Sequence, residues 1–300
     1  MTKTLTGGNP AKLIFFFSLP LIIGNIFQQF YSMADTLIVG RTIGVNALAA
    51  VGCTGSITFL ILGFVQGLTS GLSIITSQKF GAKNEDDVRK SFAASILISS
   101  AVAIITTILS VLLARPLLEL LQTPSEIIDN AWAYLVIIFL GIPATVLFNL
   151  LSNTVRALGD SKTPLYFLVF ACCVNIVLDF VFILHFNLGV AGAGIATILS
   201  QLLSGILCIF FIIKKVPLLW LKKTDFRMHY EVITSHLIIA LPMAFQMSII
   251  AIGSLMLQFA LNGLGAASIA AYTASQKIES IATMPLGSFG TRSEEHTSEL

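Results

Sequence analysis

Four side chains in this 300-residue sequence could share one piece of chemistry: Asp35, Asn175, Asp179 and Thr197. Asp35 stands near the end of an apolar run, Leu13–Val39, and Asp179 lies inside another, Leu165–Phe186. Each run is long enough to cross a bilayer. A carboxylate within such a run costs roughly 2.5–3.5 kcal/mol on insertion scales, and chains that keep one generally use it on protons, cations or cationic substrates. Asn175 precedes Asp179 by four residues, so the two share a helical face one turn apart. Asp35, Asp179 and Thr197 each fall about five to seven residues from the same end of their runs, roughly 7–10 Å below the outer boundary. Two carboxylates, an amide and a hydroxyl at one depth could line a polar chamber. A carboxyl group in low dielectric can hold a proton near neutral pH. The same oxygens could instead bind a dehydrated Na⁺ at Asp35 and Asp179.

Each of these residues also has a structural alternative. Asp35 could cap a broken helix or face an outer vestibule. Asn175 could join two helices by a hydrogen bond, and Thr197 could bond its own i−4 carbonyl. Gln28 and Gln29 are further polar residues within the first run, open to a cavity role or to packing. Lys277 and Glu279 form another ionisable spot in the last run. Two residues apart, they point to different faces, so substrate contact and separate structural pairing both remain open.

These residues need helices to hold them. The sequence is 56% hydrophobic and only 11% charged, against about a quarter charged in soluble proteins. Its apolar residues fall into eight candidate spans: Leu13–Val39, Leu48–Thr76, Phe92–Ala114, Ala131–Leu151, Leu165–Phe186, Val190–Ile213, Ile233–Leu261 and Ala266–Phe289. The fold class is all-α, a polytopic bundle of membrane helices. Pro20, Pro143, Pro242 and Pro285 are mid-span kink candidates. If the N-terminus is cytoplasmic, the inner side collects Lys3, Lys12, Lys79, Lys83, Arg89, Lys90, Arg156, Lys162, Lys214, Lys215, Lys222, Lys223 and Arg227. The outer connectors then hold only Arg41 and Arg115, which obeys the positive-inside rule. The expected location is the cell (inner) membrane, multi-pass, with the N-terminus inside.

A parallel internal repeat is expected. Leu19-Pro20 recurs as Leu241-Pro242, and the Gly44 segment recurs at Gly265, with offsets of 222 and 221. An even number of spans per unit makes the two copies enter the membrane in the same direction. The reading is therefore a six-helix N-lobe over residues 1–215, then two helices of a second lobe over 216–291. Residues 292–300, Arg292 to Leu300, turn abruptly polar and are read as a non-native tail.

The connector from Arg156 to Pro164 reads as a tight turn carrying topology charges. His185, His229 and His236 lie near predicted boundaries and read as interfacial. The four cysteines read as buried structural thiols. No Walker motif, zinc-ligand spacing, dinucleotide turn or nucleophile elbow is present, which argues against an enzyme and leaves no cofactor to expect.

Several segments together resemble the multidrug and toxic compound extrusion (MATE) family. They are Asp35-Thr36-Leu37-Ile38-Val39-Gly40-Arg41 with Leu48-Ala49-Ala50-Val51-Gly52, Gln78 with Gly81-Ala82, and Arg156-Ala157-Leu158-Gly159-Asp160 with Pro164. Asn175-Ile176-Val177-Leu178-Asp179, Gly189 through Thr197, and Ala270-Ala271-Tyr272 with Pro285 complete the set. The resemblance implies a twelve-helix secondary transporter with two six-helix lobes around a central cavity. It implies export of cationic amphipathic drugs against an inward flow of H⁺ or Na⁺, by a monomer with no nucleic-acid partner. It places Asp35, Asn175 and Asp179 in the N-lobe cation site, with Thr197 mapped less directly. The sequence departs from the pattern by ending after the eighth span. A lipid-linked oligosaccharide flippase of the same superfamily is the alternative. Such flippases favour several basic cavity residues, and Lys277 is the one candidate here.

Overall fold

The computed structural model describes residues 10–226, 230–276 and 279, with the backbone alone at residues 10–19, 21 and 25. All regular structure among the described residues is helical. In chain order the helices are α1 (Pro10–Thr42), α2 (Val45–Gly81), α3 (Glu85–Leu120), α4 (Ile128–Leu140) and α5 (Ile142–Ala157), then α6 (Lys162–Asp179), α7 (Gly189–Lys215) and α8 (Tyr230–Asn262). A π-helical segment, Phe180–His185, continues α6, and residues 266–276 open another helix.

Five of these helices are long and apolar enough to cross a membrane, and the α4–α5 pair, bent by 46°, makes a sixth. The chain is a multi-pass helical membrane protein. The α4–α5 pair is the expected fourth span, and its bend falls beside the expected kink at Pro143. Proline cannot donate to the carbonyl four residues back, so the ladder breaks there. Pro20, Pro242 and also Pro116 sit within continuous helices, and Pro285 lies outside the described residues.

Helices overrun their apolar cores where polar residues cap them. Asn84 accepts the Asp87 amide at 3.2 Å and begins α3, whose first turn is Glu85-Asp86-Asp87. Carboxylates there complement the positive end of the helix dipole. Asp160 does similar work for α6: its Oδ1 accepts the amides of Lys162 and Thr163 at 3.1 and 3.0 Å, and Oδ2 accepts the Thr163 hydroxyl at 2.6 Å. The Arg156–Pro164 connector is thus a capped turn.

α1 packs on α6, α2 on α3 and α5, and α7 on both α5 and α6. α8 lies along α2 and reaches α3. Its crossing is close because two glycines permit it. A Cβ on Gly67 would meet the Met243 carbonyl oxygen at 2.5 Å, and one on Gly71 would meet Ala240 Cα at 2.6 Å.

Hydrogen bonds fasten α8 near each end. At one end, His236 Nε2 meets Ser91 Oγ at 2.8 Å, and Ser91 Oγ meets Thr76 Oγ1 at 3.0 Å. His236 Nδ1 faces the Val232 carbonyl at 2.7 Å. A carbonyl only accepts, so Nδ1 carries the proton of the neutral ring and Nε2 accepts from Ser91. At the other end, Gln258 donates to Asn262 Oδ1 and Asn262 donates to the Leu121 carbonyl, both at 2.7 Å. The interfacial expectation for His236 is corrected: it is 1% exposed. It sits between three helices because its two ring nitrogens are both satisfied there. Cys173 is likewise corrected from buried to exposed. His229 lies outside the described residues.

Removing one partner of a buried pair leaves the other unsatisfied. His236→Ala is therefore expected to destabilise the chain by about 1–3 kcal/mol. A cycle with Ser91→Ala, followed by unfolding in mixed micelles, should show a coupling energy on the order of 0.5–1.5 kcal/mol.

Candidate functional site

The four residues singled out in the sequence come together. Asp35 is supplied by α1, Asn175 and Asp179 by α6, and Thr197 by α7. Asn175 and Asp179 are fully buried, and Asp35 is 8% exposed. Asn175 donates to Thr197 Oγ1 at 3.4 Å, and the Tyr31 hydroxyl meets the same oxygen at 3.0 Å. Asp35 and Asp179 lie within electrostatic reach of one another, and both act on Tyr31 and Tyr134.

The unsatisfied atoms define the site. Both carboxylate oxygens of Asp179 and Oδ1 of Asn175 are buried without a hydrogen-bond partner. Such atoms are costly in a low-dielectric interior. Three acceptor oxygens one turn apart on α6, with Asp35 on the packed helix α1, form an oxygen-rich set. Oxygens of this kind suit a hard cation, or a proton placed on a carboxyl group. Among the described residues no three His, Cys, Asp or Glu side chains gather as a metal-ligand group.

Two contributors escaped the sequence. Tyr31 lies four residues before Asp35 on α1, and that spacing was the available signal. The π-helical segment beginning right after Asp179 had none. π-helical turns admit an extra residue and recur at functional sites.

Beside the site lies a cavity of about 350 Å³. Its polar wall includes Gln28, Asn149, Asn153, Arg156 and Gln201, and its apolar wall includes Leu62, Leu165, Leu168, Met243 and Met247. Arg156 donates to Asn153 Oδ1 at 3.2 Å. Tyr31 belongs to both the cavity wall and the hydrogen-bonded site. A half-apolar, half-amide cavity suits an amphipathic small molecule. Of the expected cavity residues, Gln28 lines it, whereas Gln29 is half-buried and does not. Glu279 is exposed and not in the wall, and Lys277 lies outside the described residues.

Comparison with known proteins agrees with this architecture. The MatE family model matches residues 20–181. Probable multidrug resistance protein YpnP of Bacillus subtilis is 34% identical over 297 residues, covering 95% of this chain and 64% of the relative. Multidrug export protein MepA of Staphylococcus saprophyticus is 25% identical, covering 87% of this chain and 58% of the relative. The fold superposes on a MOP-superfamily transporter from Pyrococcus furiosus with a TM-score of 0.87 at 24% identity, over 99% of this chain and 67% of that one. It also matches an inward-facing MATE-family multidrug transporter, with a TM-score of 0.80 at 24% identity over 88% of this chain and 60% of that one. The chain belongs to the MATE family. It spans about three fifths of the length of the curated relatives it matches.

Proposed function

We propose that this chain serves the secondary active export of cationic, amphipathic drugs or toxic compounds, driven by inward H⁺ or Na⁺. Coupling takes place at Asp35, Asn175, Asp179 and Thr197. The observation that carries this reading is Asp179, fully buried with both carboxylate oxygens unpartnered. A proton or Na⁺ arriving there removes an isolated charge from the helix bundle. Its arrival alters the forces among α1, α6 and α7, the helices that meet at Thr197. Tyr31 touches both that junction and the cavity wall, so a change at the carboxylates reaches a bound molecule through one side chain. The relatives' names, multidrug resistance and multidrug export proteins, support the substrate class. On this reading residues 1–215 are the N-lobe, 216–291 begin a second lobe, and 292–300 are foreign. The protein works as a monomer in the inner membrane with its N-terminus inside.

The test is ethidium efflux from everted vesicles, with a pH gradient and a Na⁺ gradient imposed separately. It is run on the chain as it stands and on the chain extended to the length of its relatives. Efflux driven by one gradient identifies the coupling ion. A folded, inserted, extended protein that exports nothing under either gradient removes the proposal.

A further inference from the structure

The connector after α7 is a small folded surface that the transport reading leaves unused. It consists of two 3₁₀ turns, Pro217–Leu219 and Lys223–Phe226, packed against α3. Leu219 anchors it, 2% exposed in a cluster with Val88, Phe92, Leu158 and Ile212. Trp220 is pinned by its indole N–H, which donates to the Ile213 carbonyl at 2.9 Å, yet the residue remains 55% exposed. Phe226 is 41% exposed.

The charges are sorted. Lys214 and Lys215 close α7, Lys222 and Lys223 follow Trp220, and all four are exposed. The segment's one acid, Asp225, is turned inward and is 5% exposed. Its Oδ2 accepts the Lys222 amide at 2.8 Å and lies 3.8 Å from Arg89 Nε. Acids on the neighbouring first turn of α3 are largely occupied, Asp86 by Arg89 and Asp87 by Lys79. Glu85 and Asp86 are both exposed, Asp86 while paired with Arg89. The outward face therefore combines four ammonium groups with two aromatic rings, at the point where an apolar helix ends. Aromatic rings favour the headgroup level of a bilayer. Lysines clustered next to a membrane helix attract anionic lipid. Topology alone requires lysines on this side. It does not require the only acid to fold inward or the rings to stay outside.

We propose that the end of α7 and residues 216–226 form a binding surface for the headgroups of anionic phospholipids, in the leaflet at which α7 ends. Lys214, Lys215, Lys222 and Lys223 hold the phosphates, while Trp220 and Phe226 seat among the glycerol and upper acyl carbons.

The chain has two tryptophans, so Trp132→Phe leaves Trp220 as a single reporter. The 300-residue chain is reconstituted in vesicles in which either phosphatidylglycerol or phosphatidylcholine carries brominated acyl chains, at equal brominated fraction. Brominated phosphatidylglycerol is expected to quench Trp220 more effectively, with a local enrichment of about threefold or more. Replacing all four lysines with glutamine should remove that excess. Should the quadruple variant fail to insert, Lys222→Gln with Lys223→Gln should reduce the excess by roughly half, on the additive view of surface lysines. Inorganic phosphate added at constant ionic strength should leave it in place. Equal quenching by the two lipids overturns the proposal. So does an excess that survives the lysine substitutions, and so does loss of the excess to inorganic phosphate, which would mark a free-anion site. The measurement needs no transport activity, so it stands apart from the efflux test.

Discussion

Asp179→Asn is expected to uncouple export from the ion gradient while leaving the fold intact. The amide has almost the shape of the carboxylate but neither its charge nor its titratable proton. Because the Asp179 oxygens take no hydrogen bond from the protein, the substitution breaks none. It also removes a buried carboxyl group whose ionised form costs several kcal/mol to hold in a dry interior. Thermal stability should therefore hold or rise, and gradient-driven efflux should fall. Coupling free energies of 1–3 kcal/mol correspond to about 5–150-fold, and the loss should lie in that range. Asp35→Asn should reduce coupling too, since its charge acts on Asp179. The check is ethidium efflux at fixed expression, beside thermal unfolding of the same preparations. Unaltered efflux with unaltered pH and Na⁺ dependence in both variants would sink the assignment of these residues. Protection of the native chain by Na⁺ during heating, absent in Asp179→Asn, would identify Na⁺ as a ligand without any transport assay.

Gly71→Leu should be the most destructive single change along the α2–α8 crossing. Even the first added carbon meets backbone there, 2.6 Å from Ala240 Cα. A flexible side chain could rotate away from such a clash, but a helix backbone must move as a whole. Overpacking typically costs about 1–3 kcal/mol, and occasionally more where nothing can yield. Gly67→Leu should behave alike, with the Met243 carbonyl at 2.5 Å from its Cβ. Gly55 supplies the control on the same helix, because a Cβ there meets nothing within 4 Å. Gly55→Ala should be neutral, or stabilising by up to about 1 kcal/mol through helix propensity. Chromatographic homogeneity and unfolding midpoints in one detergent would check all three. Midpoints for Gly71→Leu and Gly67→Leu no lower than that of Gly55→Ala would mean that the close crossing contributes nothing to stability.

The parts of this fold that follow from hydropathy could be read in the sequence. Apolar runs located every described helix, because a bilayer-length run leaves the backbone few other ways to satisfy its hydrogen bonds. Pro143 marked the α4–α5 break through its missing N–H. Asp35, Asn175, Asp179 and Thr197 stood out because polar atoms at that depth are expensive. Tyr31 did not, since a tyrosine in an apolar run draws attention only once its hydroxyl is known to face Thr197. His236 was misplaced for a related reason. Its position near the start of an apolar run suggests an interface, whereas its burial depends on Ser91 and Thr76, 145 and more residues away along the chain. Gln29 and Glu279 show the converse: their polarity was legible, but which face of the helix meets the cavity was not.

α8 can be regarded as a beam clamped at both ends. One clamp is His236 with the backbone contacts at Ala240 and Met243, and the other is Asn262 on the Leu121 carbonyl. A beam held this way cannot pivot or slide. A bow of the stretch between them would spare both clamps and break the bond there, from the Ser56 hydroxyl to the Ser254 carbonyl at 3.3 Å. That bond lies beside Gly253, where an added Cβ would meet nothing within 4 Å. Swinging α8 away from α2 as a rigid rod would instead release the hydrogen bonds of both ends together.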